Sequence, residues 1–312
     1  MHILITGGAG FLGQRLARQL LKDSSLRTLI LTDLVPPPVP LDDVRVTSIQ
    51  ANLTDPQSAQ RLVTPKTTAV YHLAAVVSAQ AEANFDLGMA VNCDGTRHLL
   101  EAVRHQAAGA MVIFASSLAV FGGELPAVVS DQTAVMPQSS YGTQKAIAEL
   151  LVNDYTRKGF IDGRVLRLPT VCVRPGKPNA AASSFASSII REPLQGETAV
   201  CPVNPSLPLW LSSPGTVTNN LIHSLSLSAN LFAGIRAVNL PGITITVQEM
   251  IDALRRVASP AAEKIRYEPD EAISQIVASW PSRFEVSQAR ALGFEGDRNF
   301  DDIIRAFMTE AQ

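Results

Sequence analysis

Tyr141 and Lys145 stand four residues apart in Ser139-Ser140-Tyr141-Gly142-Thr143-Gln144-Lys145. On a helix that spacing puts both side chains on one face, so they can enter one pocket. A free phenol titrates at about 10 and is a poor base at neutral pH. An adjoining ammonium favours its ionised form. Lowering the phenol by about 3 units takes roughly 4 kcal/mol of differential stabilisation, within reach of two nearby cations in a partly dry site. Such a phenolate can take a proton from an alcohol. The apolar run Met111-Val112-Ile113-Phe114-Ala115 ends in Ser116-Ser117, and Ser117 offers a hydroxyl to hold the oxygen being deprotonated. A lone Tyr-x-x-x-Lys is usually a surface pair. This one opens a helical pattern behind a strand that ends in serine.

An alcohol that loses a proton can also lose a hydride, and the N-terminus supplies a place for an acceptor. Ile3-Leu4-Ile5-Thr6 runs into Gly7, Gly10 and Gly13, and a helical pattern with Leu12, Leu16, Leu20 and Leu21 begins at Phe11 and Leu12. Strand, glycine turn and helix open a dinucleotide-binding βαβ unit. Gly7 turns the chain, Gly10 lets a pyrophosphate approach the backbone, and Gly13 brings the helix close to the sheet. Free N–H groups at the helix start hold phosphate. Asp33 ends the next apolar run, Leu29-Ile30-Leu31-Thr32, about 20 residues past the last glycine, where a carboxylate accepts both ribose hydroxyls. A 2′-phosphate there would meet like charge, so NAD is expected rather than NADP. The positive nicotinamide is the second cation that Tyr141 needs.

Strands and helices alternate to about residue 170. A third strand is expected over 44–49, after a loop holding Pro36, Pro37, Pro38 and Pro40. Asn52-Leu53-Thr54-Asp55-Pro56 then caps a helix running to Val63, with Asn52 and Leu53 at the sheet edge beside an adenine. The fourth strand, from Ala69, ends in Leu73-Ala74-Ala75, whose small side chains leave room for a cofactor at the sheet edge. Asn92 lies inside a long helix that it does not favour, so a side-chain hydrogen bond is expected. The helix of Tyr141 is expected to bury Ala146, Ile147, Leu150 and Leu151. A sixth strand from Arg164 closes on Pro169. The fold class is α/β: a Rossmann-type doubly wound parallel sheet over 1–169, with sheet elements returning near 214–241. A smaller substrate-binding region takes up most of 170–312. Helices are expected over 214–229 and 246–257, a strand at Ala237-Val238-Asn239-Leu240, and a docked terminal helix carrying Phe300, Ile303, Ile304 and Phe307.

Composition narrows the classes. The 312 residues are 46% hydrophobic and 17% charged, with a net charge of −2, so nothing favours nucleic acid or an anionic membrane as a partner. No apolar run reaches the roughly 20 residues of a membrane span, and the glycine turn interrupts any signal peptide. Cys93, Cys172 and Cys201 are far apart, as reduced thiols of a cytoplasmic protein would be. The five histidines show no metal spacing.

Taken together, Gly7, Gly10, Gly13, Asp33, Asn52-Leu53, His72-Leu73-Ala74-Ala75, Asn92 with Gly95-Thr96, Ser116-Ser117 and Tyr141 with Lys145 resemble the extended short-chain dehydrogenase/reductases over about two thirds of the chain. The resemblance implies NAD as cofactor, Ser117, Tyr141 and Lys145 as catalytic, and a dimer built on the helices of Tyr141 and Asn92. Ser117 is preferred to Ser116 because it stands five before Gly122. Asn52 replaces a common Asp and Phe121 a common Tyr. Glu82 to Gly88, Val171 to Ser184 and Ile189 to Leu194 are similar to the D-erythronate dehydrogenases. That narrower likeness implies NAD-dependent oxidation of a four-carbon sugar acid at C2. A small acid needs a cation for its carboxylate; Arg174 and Arg191 are candidates, with Lys177 and Asn179 as further polar groups. Two rivals share the glycine turn: a nucleotide-sugar epimerase or dehydratase, and a regulator that binds NAD without turnover.

Overall fold

The computed structural model describes residues 1–177, 181–232, 234 and 236–310. A seven-stranded parallel sheet forms its centre. Six strands come from the first half: β1 (His2–Thr6), β2 (Thr28–Asp33), β3 (Val46–Gln50), β4 (Ala69–His72), β5 (Met111–Ser117) and β6 (Asp162–Leu168). The seventh, Ala237–Asn239, pairs with β6 in parallel. The spatial order is Ala237–Asn239, β6, β5, β4, β1, β2, β3. Strand order therefore reverses between β1 and β4, and the crevice past their carboxyl ends is where an open α/β sheet takes ligands.

Helices cover both faces, which is why the strands read as almost unbroken apolar runs. Ile3, Ile5, Leu29 and Leu31 pack against Leu16 and Leu20 of α1 (Phe11–Leu20). Leu4, Val70 and Val112 point the other way, as the two-residue period of a strand requires. They meet Leu62 of α2 (Pro56–Leu62), Leu99 and Val103 of the helix Gly95–Gln106, and Val152 of the helix Ser140–Arg157. Residues 184–310 add a second core around Ile189, Leu211, Met250, Leu254 and Ile304, closed by the terminal helix Phe300–Glu310. No helix among the described residues is long and apolar enough to cross a membrane.

Several expected boundaries move. The third strand is 46–50, and Val44 before it is fully exposed. Within the capping segment 52–56, Asp55 is the residue that caps α2, accepting from the N–H groups of Gln57 and Ser58, and the helix ends at Leu62. Asn92 lies in a π-helical turn, Met89–Asp94, ahead of Gly95–Gln106. The helix expected over 214–229 ends at His223. Leu150, expected to be buried, is 64% exposed. The inner face of its helix is taken instead by Lys145, Ala148, Glu149 and Val152.

Candidate active site

The glycine turn closes as its spacing requires. Gly7 has φ +74°, and a Cβ there would lie 2.8 Å from Ala74 N and 2.9 Å from Leu73 C. Only glycine lets β1 turn this close to the end of β4. Gly13 stands against the Gly7 carbonyl, with no room for a side chain. Gly10 caps α1 without a side-chain hydrogen bond, and the first helical bond runs from Gln14 N to Gly10 O. Gly10 N itself donates to Gly7 O at 3.1 Å, so the N–H groups left for an anion are those of Phe11, Leu12 and Gly13.

Two adjoining clefts share Gly7, Gly10, Leu73 and Ala75. One, of about 320 Å³, is lined by Asp33, Asn52, Leu53 and Ala74. The Asp33 carboxylate accepts from Ala9 N at 3.1 Å and Leu34 N at 2.8 Å. A carboxylate has about four lone-pair sites, so capacity for two hydroxyls remains. Asn52 Oδ1 accepts from Thr54 N at 3.0 Å, which leaves its amide N–H₂ free to turn outward. The other cleft, of about 270 Å³, is lined by Phe11, Leu12, Gly13, Ser117, Tyr141, Lys145 and Pro169. An uncapped helix start, an acid with spare lone pairs and a continuous crevice over the sheet edge fit NAD. Asn92 lines neither cleft. Its amide brackets Val76, accepting from Val76 N at 2.8 Å and donating to Val76 O at 3.0 Å, and it reaches Gln144 Oε1 at 2.7 Å. It fixes the chain after β4 against the helix of Tyr141 rather than touching the crevice.

Tyr141 sits in the first turn of the helix Ser140–Arg157, which Ser139 caps. Lys145, 3% exposed, donates from Nζ to Ala115 O at 2.8 Å and lies 5.7 Å from the centre of the Tyr141 ring. The next residue of the stripe, Glu149, accepts from Ser116 Oγ and pairs with Arg167 at 2.7 Å. Ala115 and Ser116 are thus each engaged by one of two residues spaced four apart on the helix. The expected fall in the Tyr141 pKa is not present without a cofactor. Burial pushes the phenol up to about 12, against the opposing pull of the Ser117 hydroxyl and the Arg174 charge. Lys145 is not among the groups that oppose this rise; burial lowers its own pKa to about 8, with Glu149 opposing that fall, so it is still a cation at neutral pH.

The far wall carries Arg174. Its N–H donates to Ser187 Oγ at 3.0 Å, and its carbonyl accepts from Arg191 Nη1 at 2.8 Å. Arg174 lines the cleft; its guanidinium forms no ion pair among the described residues and leaves Nη2 buried without a partner among them. Arg191 does not enter the cleft. It is 2% exposed, pairs with Glu192 at 2.6 Å and is spent on holding the backbone of Arg174. Lys177 is exposed, and Asn179 lies outside the described residues.

Residues 3–224 match the NAD dependent epimerase/dehydratase family. The chain belongs to this family. It is 53% identical to the D-erythronate dehydrogenase of Cupriavidus necator over 321 residues, covering 100% of this chain and 99% of that one. The D-erythronate dehydrogenase of Haemophilus influenzae is also 53% identical over 311 residues, with 99% of each chain covered. A crystal structure described as the nucleoside-diphosphate-sugar epimerase from Agrobacterium tumefaciens superposes with a TM-score of 0.93 at 43% identity, covering 99% of this chain and 94% of that one.

Within this NAD-dependent family member, sequence spacing missed the support behind the reactive face. Glu149 and Arg167 are both 6% exposed, and Arg167 also stacks 4.8 Å from the Phe121 ring. An acid four residues past Lys145, on the face of the reactive pair, was the available signal, because a carboxylate on an inward face demands a partner. Arg167 pairs in register with Ser116 across β5 and β6, which only the folded sheet reveals.

Proposed function

We propose that this chain is an NAD-dependent dehydrogenase that oxidises D-erythronate at C2 to the 2-oxo acid. The observation that carries this reading is the Arg174 guanidinium, uncompensated among the described residues, within electrostatic reach of the Tyr141 phenol. A substrate carboxylate on Arg174 places the neighbouring C2 hydroxyl at Tyr141. The full-length 53% identity to two D-erythronate dehydrogenases supports the same substrate.

Bound NAD supplies the hydride acceptor, C4 of its nicotinamide, and a positive charge. Ser117 Oγ accepts from Ala119 N at 3.2 Å, and its own O–H, which faces the Tyr141 oxygen, orients the substrate oxygen there. Tyr141 takes the hydroxyl proton as the C2 hydrogen leaves with its electron pair, so a C=O forms where a C–H and an O–H were. Lys145, held on Ala115 O, keeps a cation beside the phenol. Gly7, Gly10, Gly13, the start of α1 and Asp33 hold the dinucleotide, with Asp33 favouring NAD over NADP. Residues 1–169 form the cofactor domain and 170–312 mainly the substrate region. Three buried free cysteines suit a reducing cytoplasm. Exposed Phe85, Leu87 and Leu150 suit a homodimer.

The second reading, a nucleotide-sugar epimerase, has in its favour the description of the Agrobacterium structure. Incubation with NAD and D-erythronate, then with UDP-glucose, separates the two. Accumulation of NADH absorbance with the acid alone is the expected result. Sugar interconversion without net NADH would reject the dehydrogenase.

A further inference from the structure

Of the two tryptophans, one is satisfied and one is not. Trp210 donates from Nε1 to Leu240 O at 3.3 Å. Trp280 Nε1 is buried without a hydrogen-bond partner among the described residues, and its residue stands between the cleft of Ser117, Tyr141 and Arg174 and a second groove beside Pro281 and Arg283. Its place is built. Trp280 N donates to Val277 O at 3.2 Å, and Thr244 Oγ1 donates to Ser282 O at 2.6 Å. Val129 donates to Arg283 O at 3.0 Å and accepts from Glu285 N at 2.8 Å. Phe284 packs 5.2 Å from the Trp210 ring and 5.9 Å from the Phe121 ring. A segment pinned at this many points does not leave an indole N–H unpaired by slack, and an unpaired buried donor is costly unless a ligand meets it.

We propose that Trp280 is a substrate contact whose indole N–H donates to a hydroxyl of the sugar-acid tail while Arg174 holds the carboxylate. The inference rests on the sugar-acid reading. The division of labour follows from charge. Arg174 lies close enough to Tyr141 to act on its titration, which suits the carboxylate next to the reacting carbon. A neutral, single donor suits an alcohol oxygen farther along the chain. Trp280 then selects polyhydroxy acids over acids with a bare alkyl tail, because the bare tail leaves the indole unpaired.

Two measurements test this. In Trp280→Phe, which keeps an aromatic ring and removes the donor, the KM for D-erythronate rises about tenfold with kcat nearly unchanged. The Ki of 2-hydroxybutyrate, which has the carboxylate and the reacting hydroxyl but no tail hydroxyls, stays the same. An equal change for both acids, or none for either, overturns the proposal. The second measurement needs no change at residue 280. The ¹⁵N-labelled Tyr141→Phe protein with NAD shows two indole N–H signals, assigned with Trp210→Phe. A panel of four- to six-carbon sugar acids, D-erythronate included, is titrated in. The Trp280 signal is expected to move downfield with the acid that the unsubstituted enzyme turns over. If D-erythronate is turned over and the signal stays still, Trp280 is not the contact and the substrate reading stands. If another acid is turned over and moves the signal, Trp280 stands and the choice of D-erythronate falls.

Discussion

The two walls of the cleft are built on opposite terms. On the wall formed by β5 and the helix Ser140–Arg157, the polar groups beside the reactive pair are engaged, although Gln144 Nε2 on the same helix has no partner among the described residues. Lys145 bonds Ala115 O, Ser116 bonds Glu149, and Glu149 pairs with Arg167. On the opposite wall, Arg174 Nη2 and Trp280 Nε1 are left without partners among the described residues. A reactive group must be held in one geometry before substrate arrives, so its neighbours are satisfied by the protein. A recognition group must prefer the ligand to nothing, so its bonds are left for the ligand to make. The difference separates substitutions expected to act on turnover from those expected to act on substrate affinity.

The sharpest way to break the comparison is Tyr141→Phe. Turnover is expected to fall roughly 10³-fold, the usual scale of a lost general base, with NAD affinity by calorimetry unchanged. A loss of NAD affinity instead would put Tyr141 on the cofactor's side of the ledger. On the opposite wall, Arg174→Leu should raise the KM for D-erythronate about 30-fold, as for loss of a charge-assisted bond, with kcat affected much less. Comparable falls in kcat and kcat/KM would show that Arg174 serves the transition state only. Away from both walls, Asp33→Ala should lower the preference for NAD over NADP about tenfold, read from the ratio of kcat/KM values. An unmoved ratio would remove Asp33 from the ribose.

The smallest effect concerns stability. Lys145 carries a pKa lowered to about 8 from 10.5, chiefly by burial. Below about pH 8 the folded chain holds a desolvated ammonium that the unfolded chain keeps in water, so burial of this charge destabilises the fold there. Between about 8 and 10.5 the folded site releases the proton before the unfolded chain does, and the penalty fades as pH rises. Lys145→Met should therefore raise the Tm at pH 7 by about 3 °C, with the gain shrinking toward pH 10 while activity is lost. A lower Tm at pH 7 would mean that the bonds of Lys145 outweigh its desolvation.

Much of this was written in local sequence. A short apolar run in β1, glycines three apart and an acid closing β2 each follow from what a few neighbouring residues can do. The fold class and the cofactor crevice were therefore legible. So was the stripe of Tyr141 and Lys145, because four residues bring side chains together on any helix. Leu150 was misread for the same local reason. It looks apolar enough to be buried, but the inner face is filled by Glu149, whose partner Arg167 lies on β6 of the sheet.

What sequence by itself determined was the order of elements and the types of the reactive groups, since these rest on short-range sterics and side-chain chemistry. The tertiary structure alone decided which arginine faces the cleft, Arg174, while Arg191 is spent behind it. It alone brought Trp280 to the cleft of Tyr141, because long-range packing sets that approach. It also set the phenol high, at about 12, because burial depends on the whole surrounding volume and not on the residue four places away.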